Sequence, residues 1–152
     1  MIREIITNIK LLRKPCGEAT PEEAKEIIKD LEDTLATKPN GMGLSAPQIG
    51  VYKKVAIIRV GKDEKTGEYR TKENLINPKI VEKGNKILSW EGCLSFPGLT
   101  IQTDRYDYIT VEMDGKKSIF VGLESIIANH EIDHLYGITI FEKKHKDINR
   151  RK

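Results

Sequence analysis

The stretch LESIIANHEIDHLYG, residues 123–137, decides how the rest of the chain is read. Leu123, Ile126, Ile127 and Leu135 fall at helical steps, and Gly137 stands where a helix stops. The spacing predicts a helix that carries His130, Glu131 and His134. Residues four apart on a helix share one face, one turn above each other. His130 and His134 can therefore aim two imidazoles at one point, as ligands of a single metal ion must. Glu131 cannot easily reach that coordination position, but it can approach a water on the metal and take its proton. The chain has 3 histidines, and with histidine so scarce a chance His-Glu-x-x-His is on the order of one in a thousand.

A catalytic metal usually takes three protein ligands and leaves one position open. Three residue types compete for the third place. A downstream carboxylate would be Glu142 or Asp147, and Glu142 lies too close behind the helix to fold back. His145 would make a three-histidine site, but its spacing from His134 is wrong for one. Cys93, in WEGCLSFPG, is the favoured candidate: a thiolate binds divalent first-row metals strongly, and the flanking glycine and Pro-Gly suggest a fixed backbone. Cys16, in RKPCGEA, is given no chemical role, and a Cys16–Cys93 disulfide is the weaker expectation for a cytoplasmic chain.

At 152 residues the chain suits one domain with one real core. With 26 Lys+Arg against 23 Asp+Glu, the net charge of +3 is too mild and dispersed to indicate a DNA-binding protein. No apolar run is long enough to cross a membrane, and residues 1–12 lack the apolar core of a secretory signal, so a cytoplasmic location is expected. Residues 19–37 read as an amphipathic helix. Thr20 is its N-cap, Pro21 takes the first position, Glu23 completes a capping box, and Ala24, Ile27, Ile28, Leu31 and Leu35 form its buried stripe. Residues 41–50, GMGLSAPQIG, are too rich in Gly and Pro for a helix and too apolar for a solvent loop. KKVAIIRV is a strand, residues 61–74 a polar hairpin excursion, and residues 75–92 short strands joined at KGN. Residues 99–122 alternate as strands about a turn at MDGKK. The expected fold class is α+β: antiparallel β-sheets packed around a central HExxH helix, with an N-terminal helix. Residues 1–140 form the catalytic domain and residues 141–152 a basic C-terminal tail.

Three segments in order, GMGLSAPQ, EGCLS and HEIDH, resemble the peptide deformylase family, whose members remove the formyl group from nascent N-formylmethionyl peptides. The resemblance spans nearly the whole chain. It implies that Cys93, His130 and His134 bind one divalent metal, Fe²⁺ natively with Zn²⁺, Ni²⁺ or Co²⁺ as substitutes. It implies Glu131 as general base and then acid, and an oxyanion held by the Gln48 side-chain amide and the Leu94 backbone N–H. Gly41, Gly43, Leu44, Glu91, Gly92, Ile126 and Ile127 would contact the peptide, with Gly43 pairing to it as an added strand. Glu91 and Arg105 are expected to pair and brace the cysteine strand, unless they are a surface ion pair, and Asp133 to orient a ligand or cap a loop.

Two positions depart from the family pattern. Ser45 stands where alanine is most common, which should alter local hydrogen bonding without abolishing the site. Leu99-Thr100 lacks a basic residue that many members carry, which bears on the peptide contacts. The short chain after Gly137 resembles trimmed, phage-like members; its basic residues could meet ribosomal RNA through charge, but a solvated disordered tail is the favoured expectation. The chain is expected to be a monomer. Two rival functions remain at this point: a zincin-type peptidase using HEIDH without Cys93, and a catalytically silent binding module.

Overall fold

The computed structural model describes residues 1–146. A single turn, α1 (Ile9–Leu12), capped by Asn8, precedes α2 (Pro21–Leu35). Helix α2 carries the expected capping box: Thr20 accepts from the Glu23 backbone N–H and Glu23 accepts from the Thr20 N–H. Strand β1 (Gly43–Ser45) runs straight into a 3₁₀ turn, Ala46–Ile49. Strands β2 (Val55–Lys62), β3 (Tyr69–Ile76), β4 (Lys79–Cys93), β5 (Phe96–Met113) and β6 (Lys116–Val121) follow, then α3 (Gly122–Leu135) and a last 3₁₀ turn, Ile140–Lys143. The strands form two antiparallel sheets, ordered β1-β2-β3 and β4-β5-β6. The fold is α+β.

Strand β2 is buried on both faces, which explains why VAIIRV reads as a continuous apolar run rather than an alternation. Val55 and Ile57 pack with Ala24, Ile27, Leu31 and Leu35 of α2. Ala56, Ile58 and Val60 face the other way, into a core shared with Ile109, Val111, Phe120 and the α3 residues Ile127, Ala128, Ile132 and Leu135. Helix α3 touches strands of both sheets and is buried almost all round from Ser125 to Leu135. A helix enclosed in this way should be apolar throughout. Instead it buries Asn129, His130, Glu131, Asp133 and His134, and such groups need partners or a function.

The structure corrects several local expectations. Residues 69–74, assigned to a polar excursion, belong to β3, because they pair along their length with β2. Residues 79–93 form one strand rather than two joined at KGN. Asn85 does take a positive φ of 57°, but pairing continues on both sides (Gly84↔Tyr108, Lys86↔Tyr106) because the 18-residue β5 holds the register. The bare Gly84 backbone leaves room for the Tyr108 ring lying against it. The MDGKK turn is as expected, with positive φ at Asp114 and Gly115. Leu123, at an apolar step of the helix, is 45% exposed near the start of α3. Within the expected tail, Phe141 stacks edge-on against Phe96, and the His145 backbone N–H donates to the Gln102 carbonyl. Residues 147–152 of that tail lie outside the described residues.

Candidate metal centre

Cys93 closes β4 at the tip of the β4–β5 hairpin, where the register shifts between Glu91 and Cys93. A bulge of this kind re-aims side chains next to a site. Here Glu91 and Cys93 both reach α3. Cys93 Sγ lies 3.5 Å from His134 Nε2, and the donor atoms of Cys93, His130 and His134 all lie within 4.8 Å of one another. His130 Nδ1 is 2.9 Å from Glu91 Oε1, which leaves Nε2 for the cluster. Both cysteines are free thiols, and burial pushes that of Cys16 up to about 11, so it is inert.

A buried charge network holds this cluster. Arg105, 1% exposed, donates to Glu91 through Nε (2.5 Å) and Nη2 (2.9 Å) and to Asp133 Oδ2 through Nη1 (2.6 Å). Thr103 Oγ1 adds a 2.6 Å bond to Glu91 Oε2. Burial alone would raise the Glu91 carboxyl, but the His130 and Arg105 hydrogen bonds outweigh it and hold the group at about 2. The expected Glu91–Arg105 pair is therefore a buried tie between β4, β5 and α3, not a surface ion pair. Asp133 acts as its third corner. Second-sphere partners of this type fix the tautomer and direction of a ligating histidine.

Glu131 is 5% exposed, and burial pushes its carboxyl up to about 7. The two buried polar atoms with no partner among the described residues, Glu131 Oε1 and His134 Nδ1, both belong to this cluster. Gly43 explains how the carboxylate fits: a Cβ there would stand 2.7 Å from Glu131 Oε2. Gln48, 1% exposed, is fixed at both ends of its amide. Oε1 accepts from the Ser45 backbone N–H (3.0 Å) and from Ser45 Oγ (2.8 Å), and Nε2 donates to Ser95 Oγ (3.1 Å) and toward Cys93 Sγ (3.5 Å).

A cleft of about 690 Å³ opens over these groups. Its walls include Gly41, Gly43, Gln48, Glu91, Gly92, Cys93, Leu94, Ile126, Ile127, His130 and Glu131. Leu44 is the exception among the expected contact residues. Side chains alternate along a strand, so with Gly43 toward the cleft the Leu44 side chain turns into the α2 core, fully buried. The discounted ligands are engaged elsewhere: His145 with Asp104 (2.8 Å) and Glu142 with Arg13 (2.7 Å). Thr103 and Ser95 also belong to this site, though neither was among the expected residues. Thr103 was findable, since it stands two residues before Arg105 and so on the same strand face.

The donor set fits a divalent first-row cation: one thiolate and two imidazoles, clustered, with a buried carboxylate beside them. Fold and site together define an α+β metallohydrolase of the HExxH type. Comparison with known proteins is more specific. The family model described as polypeptide deformylase matches residues 2–150. Peptide deformylase 1 of Bacillus anthracis is 38% identical over 141 residues, covering 88% of this chain and 86% of the relative. The peptide deformylase of Desulfitobacterium hafniense is 42% identical over 142 residues, covering 90% and 87%. Among solved structures, a probable peptide deformylase from a synechococcus phage superposes with a TM-score of 0.82 at 33% identity, covering 93% of this chain and 99% of that one. Peptide deformylase from Thermotoga maritima gives 0.82 at 28% identity, covering 96% and 99%. The chain belongs to the polypeptide deformylase family.

Proposed function

We propose that the chain is a metal-dependent hydrolase that removes the N-formyl group from N-formylmethionyl nascent peptides and releases formate. The observation that carries this is the convergence of Cys93, His130 and His134 under a cleft walled by Gly43, Gln48 and Glu131. Cys93, His130 and His134 would hold one divalent cation, with Fe²⁺ as the native ion and Zn²⁺, Ni²⁺ or Co²⁺ as substitutes. The chemistry such an ion supplies is Lewis acidity, which acidifies a water and polarises a carbonyl.

The protein's own groups do the rest. Glu131 takes a proton from the attacking water and passes it to the amine nitrogen as the C–N bond breaks. Its raised carboxyl suits a proton that is taken and then returned, and a neighbouring cation favours the ionised form that takes it. The Gln48 Nε2–H and the Leu94 backbone N–H serve the oxygen that gains charge, where one such donor is worth about 3–4 kcal/mol. Strand β1 is an edge of its sheet, paired with β2 on one side. Gly43 can therefore offer backbone groups to an extended peptide, with Gly41, Glu91 and Gly92 along its path. Ile126 and Ile127 give the cleft an apolar wall for the methionine side chain. We further propose a cytoplasmic monomer whose basic C-terminal residues meet the ribosome near the nascent chain.

Formate release from formyl-Met-Ala-Ser tests the activity. Glu131→Gln should keep metal and lose turnover. Cys93→Ala should lose both, whereas a peptidase relying on HEIDH alone would keep both.

A further inference from the structure

Gln48 occupies a position where an amide can face either way, because a half-turn about its last torsion exchanges oxygen and nitrogen. Its role requires that Nε2, not Oε1, face Cys93 and the cleft. The local structure settles the choice through one residue. Ser45 presents two donors to the same atom: the backbone N–H at 3.0 Å and the hydroxyl at 2.8 Å from Gln48 Oε1. A carbonyl oxygen has two lone pairs, and these two donors fill both. A flipped amide would set its NH₂ against the Ser45 N–H, donor facing donor. Ser45 is fully buried and Gln48 1% exposed, so water is poorly placed to replace a lost bond. At the other end Nε2 spends one hydrogen on Ser95 Oγ, leaving the second on the Cys93 side.

We propose that the Ser45 hydroxyl is a positioning residue for the hydrolytic step: it locks the Gln48 amide plane so that one N–H stays directed at the reacting carbonyl. The proposal rests on the deformylase function above and on Gln48 acting there. A backbone N–H by itself secures one lone pair and permits the amide to rock about it. The hydroxyl removes that freedom. The plain alternative is that Ser45 satisfies its own buried hydroxyl and has no bearing on turnover.

Two measurements on the zinc-loaded protein separate these. The first is NMR of the Gln48 side-chain NH₂. In Ser45→Ala its hydrogen exchange should accelerate at least threefold, the mark of an amide that has lost one restraint. The second is a kinetic cycle on formyl-Met-Ala-Ser. Ser45→Ala should lower kcat about fivefold, the worth of one neutral hydrogen bond, with KM within twofold. In a Gln48→Ala background the same change should leave kcat unaltered, because the hydroxyl acts only through the amide. Unchanged exchange in Ser45→Ala would overturn the lock. An equal kcat loss in both backgrounds would overturn positioning in favour of a general structural role. Full kcat in Gln48→Ala would overturn the role of Gln48 itself, and with it the purpose of the lock, while the exchange result would still judge the Ser45–Gln48 contact independently.

Discussion

Gly43→Ala adds one methyl group at the point where β1 meets Glu131, the proposed general base. The new Cβ would stand 2.7 Å from Glu131 Oε2, 3.0 Å from Cγ and 3.1 Å from Cδ. Comfortable heavy-atom separations begin near 3.5 Å, so the carboxylate must retreat by about 0.8 Å or rotate. A misplacement of about 1 Å at a reacting group costs up to about a hundredfold in rate. A loss of about 10- to 100-fold in kcat is therefore expected, equivalent to roughly 1.4–2.7 kcal/mol of barrier. The overpacking itself should lower stability by about 1–3 kcal/mol. The three nearest atoms to that methyl all belong to Glu131 and none to Cys93, His130 or His134, so a metal held by those residues should stay. The assay is formate release under saturating formyl-Met-Ala-Ser, with metal content by elemental analysis and stability by urea titration. A Gly43→Ala enzyme with full metal and kcat within twofold of wild type would refute the steric coupling of β1 to Glu131. Loss of metal would show instead that the strain spreads to the ligands.

Other outcomes follow from the same geometry. Arg105→Met strands the Glu91 and Asp133 carboxylates in the interior and should cost about 3–5 kcal/mol, read as a lower urea midpoint; an unchanged midpoint would mean the network contributes no stability. Because Glu91 is held at about 2 in the folded protein against an ordinary value of 4.5, its contribution is present in full above pH 4.5 and is lost as pH falls toward 2. Replacing Glu91 with Gln should therefore flatten the decline in stability across that window. The chain has 1 tryptophan, Trp90, 69% exposed on the cleft wall. Intrinsic fluorescence should therefore respond on adding a peptide that occupies the cleft, and an invariant spectrum at saturation would place the peptide elsewhere.

Much of the site was legible before the fold. His130 and His134 announce themselves through helical periodicity, and Cys93 through the chemistry of a thiolate in a rigid turn. Capping gave the start of α2 to the residue, because Thr20, Pro21 and Glu23 act locally. Other features depend on distant partners and leave little local trace. KGN carries every mark of a turn, yet β5 carries β4 straight through it. Residues 69–74 look like solvent loop because one side of β3 is wet, and only pairing with β2 reveals the strand. The family resemblance put Leu44 among the peptide contacts, but strand alternation turns its side chain away from the cleft. The Glu91–Arg105 pair was expected from sequence, but its burial and its links to Asp133, Thr103 and His130 were not, since the members come from β4, β5 and α3. Ser45, a small departure from the family pattern, gained meaning only when its hydroxyl was found on the Gln48 oxygen.

Strand β2 has a bearing on how the molecule comes apart. Ile57 belongs to the core under α2 and Ile58 to the core around α3, so neither half can melt without stripping one face of the same ribbon. Unfolding is therefore expected as one cooperative transition, and the amides of residues 56–58 should be the last to trade their protons for deuterium. Fraying at either terminus would leave that seam, and the Cys93, His130 and His134 cluster beside it, undisturbed.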